Sequence, residues 1–204
     1  MKKILMITMF ISLAYQAQAQ FQFGAHASRL NNAEQGKWGG GLFVKGLIGD
    51  RFAIGANAKV YPQNFQTGTE RIGGTDYQVS RGNVIVPLLA TFDYRFGENV
   101  RPYIGVDAGM YSTRTVTKLS KDNTRTVDLT NNNWYFGAAP KVGLELEVGP
   151  VGIFGQVQYN ALFGSGDEKN IPVPGINSSI NTKPVSKFWN FDVGIYVKLA
   201  RGDK

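Results

Sequence analysis

The sequence predicts an all-β protein: an eight-stranded antiparallel up-and-down transmembrane β-barrel with short periplasmic turns and long extracellular loops. Three observations carry this expectation. Eight segments alternate apolar and polar residues with a period of two, which is a strand with two unlike faces. The connections between them run long, short, long, short, long, short, long, the asymmetry of a membrane barrel. The apolar face of these segments is almost free of charge, whereas the other mixes charges of both signs with Gly, Tyr and Phe.

The first strand covers Phe21 to Ser28, with Phe21, Phe23, Ala25 and Ala27 opposite Gln22, Gly24, His26 and Ser28. After a polar segment, Trp38 to Ile48 is the second strand. Gly49-Asp50 is a tight-turn signal. The third strand runs from Phe52 to Tyr61, and Pro62 to Val79 reads as a loop rich in Gly and Thr. Asn83 to Phe96 is the fourth strand, Gly97 to Arg101 a short turn, and Pro102 opens the fifth, which runs to Tyr111. Thr117 to Asn132 again reads as a polar loop. The sixth strand is Trp134 to Leu146, Gly149-Pro150 a short turn, and the seventh strand Val151 to Phe163. Gly164 to Lys187 is the longest loop. The eighth strand, FWNFDVGIYVKL from Phe188 to Leu199, shows the pattern most plainly. Trp189, Phe191, Val193, Ile195, Val197 and Leu199 form one uninterrupted face, close to the roughly 9–11 residues a tilted strand needs to cross a bilayer. No segment has a helical period. Pro87 and Pro140 interrupt the fourth and sixth strands, and local bulges are expected there because a missing N–H breaks a ladder.

Alternation alone does not say which face is wet. A soluble calyx turns its apolar residues inward and a membrane barrel turns them outward. The polar face decides, because its charges balance. Lys45, Lys59, Arg95, Lys141 and Lys198 stand against Asp93, Asp107, Glu145, Glu147 and Asp192. Charges enclosed in a lumen must be paired, and five against five allows it. The aromatics agree. Trp38, Trp134 and Trp189 sit on the apolar face at the long-loop ends of their strands, and Phe52, Phe92, Tyr94 and Phe96 crowd the opposite ends. Two aromatic belts suit the two membrane interfaces.

Residues 1–19 read as a cleaved signal peptide. Lys2 and Lys3 precede the apolar run Ile4 to Leu13, and Ala17-Gln18-Ala19 is a small-x-small cleavage site. The barrel domain is then 20–204, which suits a single domain. The chain has no Cys, which excludes a disulfide framework, thiol chemistry and a soft metal site. The net charge of +7 loses two positives with the signal, and the rest is spread along the chain. It forms no dense basic stripe, so no nucleic-acid partner is expected.

Few constellations suggest chemistry. His26 is the sole histidine, with Ser28 on the same face, but both point into the lumen, where a general base cannot reach a lipid substrate. No catalytic residue, metal or cofactor is therefore assigned. Gly164 to Glu168 lacks the alternating carboxylates of a calcium loop. Asn177-Ser178-Ser179 matches a glycosylation sequon, a short and uninformative pattern. Gly39-Gly40-Gly41 reads as close strand packing. Arg114, Lys118, Lys121 and Arg125, with Asp122 and Asp128 among them, read as a solvated loop that can also meet lipopolysaccharide phosphates.

The run VIVPLLATFDYRFGENVRPYIGVDAGMY, from Val84 to Tyr111, resembles the fourth and fifth strands of the small outer-membrane β-barrels of Gram-negative bacteria. The mid-strand Pro-Leu-Leu and the Arg-Pro-Tyr-Ile-Gly after the turn carry the likeness. Lys141 to Asn160 and the closing FDVGIYVKL fit it too. Unlike many family members, which end on an aromatic residue, this chain continues through Ala200 to Lys204. The resemblance implies an OmpA/OmpX-type fold in the bacterial outer membrane and no particular activity. The expected role is structural or surface-interacting, through loops 65–79, 117–132 and 164–187, with outer-membrane lipid and lipopolysaccharide as surroundings. A narrow channel for ions or small solutes is the alternative, and a lipid-modifying enzyme using His26 the second. An eight-stranded interior is just wide enough for side chains to fill, so a plugged lumen is expected.

Overall fold

The structure, a computed structural model, describes residues 20–31, 36–49, 51–72, 74–121, 124–164, 169–172, 179–182 and 186–199. The expected signal segment 1–19, the acidic part of the 164–168 stretch, Asp122, Asn177, Ser178 and the tail from Ala200 lie outside these residues.

Ten strands are present: β1 (Gln20–Asn31), β2 (Gly36–Ile48), β3 (Phe52–Ile72), β4 (Thr75–Arg95), β5 (Val100–Lys121), β6 (Thr124–Val148), β7 (Val151–Phe163), β8 (Lys169–Pro172), β9 (Ser179–Thr182) and β10 (Lys187–Leu199). Eight of them form a closed antiparallel barrel in the order β1-β10-β7-β6-β5-β4-β3-β2, and β8 and β9 pair separately as a small ribbon. The eighth strand of the sequence pattern is thus β10, and the fourth long connection contains a hairpin of its own. Closure runs from Phe21↔Leu199 to Asn31↔Trp189, so no barrel edge is left open to lipid.

The period of two holds around the wall. On β10 every second residue from Phe188 to Tyr196 is buried and the residues between are exposed. Leu42, Val193 and Ile195 are among the most exposed apolar side chains, whereas Lys59, Asp93, Asp107 and Asp192 are buried inside. Apolar outside and ionic inside is the inverse of a soluble barrel.

Glycine makes the interior fit. Tyr103 pairs with Gly143, Tyr196 with Gly152 and Phe43 with Gly24. A Cβ added to any of these glycines would collide with the facing ring. Gly39 and Gly41 likewise lie under Tyr61 and His26. Each of these large lumen side chains therefore lies against a bare neighbour, which makes room for rings inside a narrow barrel. The short turns use glycine differently. Gly49, Gly97 and Gly149 have φ of 62°, 81° and 62°, in the left-handed region that L side chains avoid.

The structure corrects two expectations. The described parts of 65–79 and 117–132 are strand rather than irregular loop. β3 to β6 run for 21, 21, 22 and 25 residues, about twice a membrane crossing. Outside the barrel they stay paired, as Gln66↔Arg81, Arg81↔Thr117 and Thr117↔Leu129 show. β2 leaves β3 after Gly40↔Val60, and β7 leaves β6 after Phe136↔Phe163. A four-stranded sheet thus projects from the barrel mouth. From Ser112, opposite Trp134, to Lys121 it extends roughly 30 Å along the strand.

The second correction concerns the prolines. Neither Pro87 nor Pro140 produces a bulge. Pro87 pairs in register with Tyr111 and Pro140 with Val106 on the β5 side. On their other sides pairing lapses between Ala58↔Leu88 and Tyr61↔Ile85, and between Ala138↔Ala161 and Lys141↔Gln158, with the register unchanged. Each missing N–H is absorbed by a short gap, and the alternation does not slip. The register shifts lie elsewhere, between Tyr61 and Asn64, beside Pro62, and between Leu119 and Ser120.

Candidate functional site

The lumen is built from the inward phase of all eight barrel strands. At its core is an unbroken chain of polar contacts. Lys59 Nζ lies 2.7 Å from Asp192 Oδ2 and donates to Gln158 Oε1 at 2.5 Å. Gln158 Nε2 donates to Asp107 at 2.5 Å, and Asp107 pairs with Lys141 at 2.6 Å. Lys141 reaches Asp93 at 2.8 Å and also donates to Thr91. Asp93 in turn holds Lys45 at 2.7 Å, and Lys45 stands 3.9 Å from Glu145, which accepts from Arg95 at 3.2 Å. These eight charged residues are each no more than 5% exposed. Four are basic and four acidic, so the chain is neutral. Enclosing charge is tolerable only on such terms, since an unpaired ion in a low dielectric costs several kcal/mol.

Asp192 is the most heavily used carboxylate. It accepts from Lys59, from Ser28, from Gln156 at 2.6 Å and from Asn190 at 2.8 Å. Neutral amides knit this region further. Asn190 donates to Gln158 at 3.0 Å, Asn160 donates to Asn190, and Tyr111 donates to Asn160 at 2.9 Å.

The remaining two of the ten predicted lumen charges stand apart. Glu147 and Lys198 contact one another at the short-turn rim, where their side chains are 14% and 10% exposed. Arg101 joins them, 2.9 Å from Glu147, although the sequence pattern did not single it out.

Above the charges lies a layer that sequence reading missed. Leu30, Tyr61, Ile85, Leu89, Tyr111, Tyr135, Leu162 and Phe188 form one buried apolar cluster across the outer mouth. The polar edges that enter it are satisfied in part by Ser28, which meets the Tyr61 hydroxyl at 2.7 Å. A smaller aromatic cluster, Phe43, Phe154 and Tyr196, lies toward the short turns.

His26 sits between Phe43 and Phe154, with ring centroids 6.3 and 6.2 Å away, and its Nε2 faces Asn57 Oδ1 at 3.2 Å. Ser28 does not pair with it, because the serine hydroxyl is engaged by Asp192 and Tyr61. His26 is only 6% exposed and faces the lumen, away from any lipid. Among the described residues no group of three His, Cys, Asp or Glu could hold a metal ion.

The predicted interface aromatics lie on the outer wall. Trp38, Trp134 and Trp189 are 65%, 61% and 50% exposed. At the other end Phe52 meets Phe92 at 6.0 Å and Tyr94 at 5.0 Å, and Tyr94 meets Phe96 at 4.7 Å. Of the predicted basic cluster, Arg114 and Lys118 stand on β5, Arg114 on its outward phase and Lys118 with its amine 4.4 Å from the centre of the Phe65 ring. The side chains of Lys121, Arg125 and Asp128 lie outside the described residues.

A closed eight-stranded barrel with an apolar exterior, an ionic interior and one set of extended connections has the fold of the small outer-membrane β-barrels. Solved structures bear this out at the level of fold. The chain is similar to a major outer membrane protein from Thermus thermophilus, with a TM-score of 0.58 and 16% identity over 89% of this chain and 99% of that one. It is also similar to the outer membrane protein OprG from Pseudomonas aeruginosa, with a TM-score of 0.56 and 14% identity over 90% and 97% of the two chains. No protein-family model matches the chain, and no curated protein matches it.

Proposed function

We propose that this chain is an integral outer-membrane protein that acts through the sheet it holds outside the membrane, on a barrel whose lumen is closed. The observation that carries the reading is the layering of the interior. A neutral chain of eight buried charges fills the middle, and an apolar cluster lies across the outer mouth. Water and ions crossing such a lumen would have to break several buried ion pairs and then pass an apolar layer. A rigid base of this kind suits a presenting scaffold.

The external sheet supplies the surface to present. β3 and β6 have no neighbouring strand there among the described residues, and Arg81 pairs with Glu70 at 2.7 Å across the sheet. Paired strands hold their outward side chains in fixed positions, which favours recognition of another macromolecule at the cell surface over a flexible tether.

Two measurements test the reading. Refolded protein in a planar bilayer should give no conductance steps, and steady openings of the parent protein would favour the narrow channel instead. On intact cells, photo-crosslinkers placed at Thr67 and Thr130, on the exposed sheet, should capture a discrete partner. Capture only from Phe92, on the lipid-facing wall, would refute a role for the sheet.

A further inference from the structure

We propose that the outer wall of the barrel carries a collar that binds the phosphate monoesters of the outer-leaflet glycolipid, built from three cations that each stand beside a tryptophan. Arg29 pairs directly with Trp38 across β1 and β2, and its guanidinium carbon lies 5.4 Å from the centre of the indole. Arg114 lies on the outward phase of β5 one step beyond Ser112, the residue that pairs with Trp134. Lys187 precedes Trp189 by two residues and shares its face of β10. All three cations are exposed, and none has a carboxylate within ion-pair distance among the described residues.

The distribution of charge gives the collar its direction. From the tryptophans outward, the outward phase of the described strands carries two carboxylates. Asp128 stands opposite Lys118, four residues beyond Asn132, the partner of Arg114. Asp76 sits at the far tip of the sheet, 3.9 Å from Arg71. At the opposite interface the outward phase carries Phe52, Phe92 and Tyr94 but no strand cation, because Arg95, Arg101 and Lys198 all turn inward to carboxylates. Arg51 is exposed at that end, but in the turn before Phe52, so the contrast between the two boundaries lies in the strand positions beside the interface aromatics.

The chemistry fits a phosphate. Tryptophan settles at the headgroup level of a bilayer, which fixes the height of its neighbouring cation. A guanidinium stacked on an indole keeps its edge N–H groups free, and that edge matches two phosphate oxygens. A phosphate monoester carries between one and two negative charges near neutral pH, more than a phosphodiester headgroup, so unneutralised cations favour it. Arg29 and Lys187 stand on strands that do not enter the external sheet and Arg114 at its base, so the collar sits at the foot of the sheet rather than along its length.

The test uses the refolded chain in phosphatidylcholine bilayer discs doped with bisphosphorylated lipid A, with the same lipid A stripped of both phosphates, or with phosphatidylglycerol. Lipid retained on the purified protein is counted by mass spectrometry. The parent should retain the bisphosphorylated form well above both others, by about fivefold for each engaged cation. The triple variant R29Q, R114Q, K187Q should lose that excess while still showing the folded gel band. Equal retention of phosphorylated and stripped lipid A by the parent overturns the collar without recourse to any variant. Retention of phosphatidylglycerol as strong as that of lipid A overturns it as well, because the wall would then be attracting anions at large. A folded triple variant that keeps the parent's preference assigns the binding elsewhere and also refutes the proposal.

Discussion

Replacing Asp192 with Ala should be among the most damaging single changes to this barrel. The carboxylate is 1% exposed and accepts from Lys59, Ser28, Gln156 and Asn190. Removing it leaves Lys59 with only Gln158 as a partner, so a buried ammonium loses its counter-charge. Breaking a buried pair from one side costs about 3–5 kcal/mol, most of it the stranded charge. Two amide donors and a hydroxyl also lose their acceptor, at about 1–3 kcal/mol for each that finds no other, although side chains this close do not add fully. The total should be about 4 kcal/mol, a fall of roughly 1–3 M in urea midpoint for a chain of this size. Lys198→Ala supplies the contrast. Its partner Glu147 sits at the rim and keeps Arg101 at 2.9 Å, so the loss should stay below about 1 kcal/mol. The assay is urea unfolding in lipid vesicles, followed by tryptophan fluorescence and by the difference between boiled and unboiled gel mobility. Lys59→Gln and its double variant with Asp192→Ala complete a cycle whose coupling should be strongly favourable. Parent-like stability of Asp192→Ala, or single changes that simply add in the double variant, would refute the paired-lumen reasoning.

Other positions probe the remaining parts. Val193 is 68% exposed in the middle of β10, so Val193→Arg places a cation in the hydrocarbon at a cost of about 2–4 kcal/mol; the unboiled folded band should weaken or vanish in refolding trials. Asp93 and Lys141 flank Gly105 on the neighbouring strands, and their ion pair lies over it. Gly105→Ala pushes a methyl group into that pair and should destabilise by about 1–3 kcal/mol, read as a lower urea midpoint. Ile85→Ala with Leu89→Ala thins the outer apolar layer, lowering stability by about 2–5 kcal/mol per site. If that layer excludes ions, this variant should show conductance steps that the parent lacks. Mass spectrometry of protein from outer membranes should give a mature N-terminus at Gln20.

The sequence made the wall legible because lipid imposes the signal. A strand crossing a bilayer must show apolar residues on one face, so alternation marks the crossing and its phase marks inside from outside. The same logic explains what was missed beyond Tyr61 and Tyr111. Outside the membrane no lipid demands an apolar face. Along β3 both phases are exposed from Pro62 to Thr69, so that stretch looks like a loop, and on β4 and β5 the inner face that buries Tyr77, Val79, Thr117 and Leu119 is partly built of threonine. The prolines misled for a related reason. A proline inside a ladder suggests a bulge, yet Pro87 and Pro140 each turn their missing N–H toward a place where pairing lapses, so the phase survives them.

The lumen was legible by composition but not by contact. Inward phase identifies Lys59 and Asp192 as interior residues, but their pairing joins β3 to β10, with β2 and β1 between them. Such a contact depends on the height each strand reaches after all registers are summed, and no local pattern encodes that. The apolar layer was hidden because Leu30, Ile85, Leu89 and Leu162 share a phase with charged residues, and a phase called polar draws attention to its charges alone. Yet the two layers require one another. The ion chain is stable only where water is scarce enough for its pairs to hold geometry, and the apolar residues at the outer mouth keep water from the side on which the long connections open. Placing that layer beneath the external sheet also anchors the sheet, since Ile85 and Tyr111 belong to strands that continue unbroken into it. The interior packing and the surface presented to the outside therefore share four strands, β3 to β6, and a change that loosens the outer layer should be felt in the sheet as well as in the lumen.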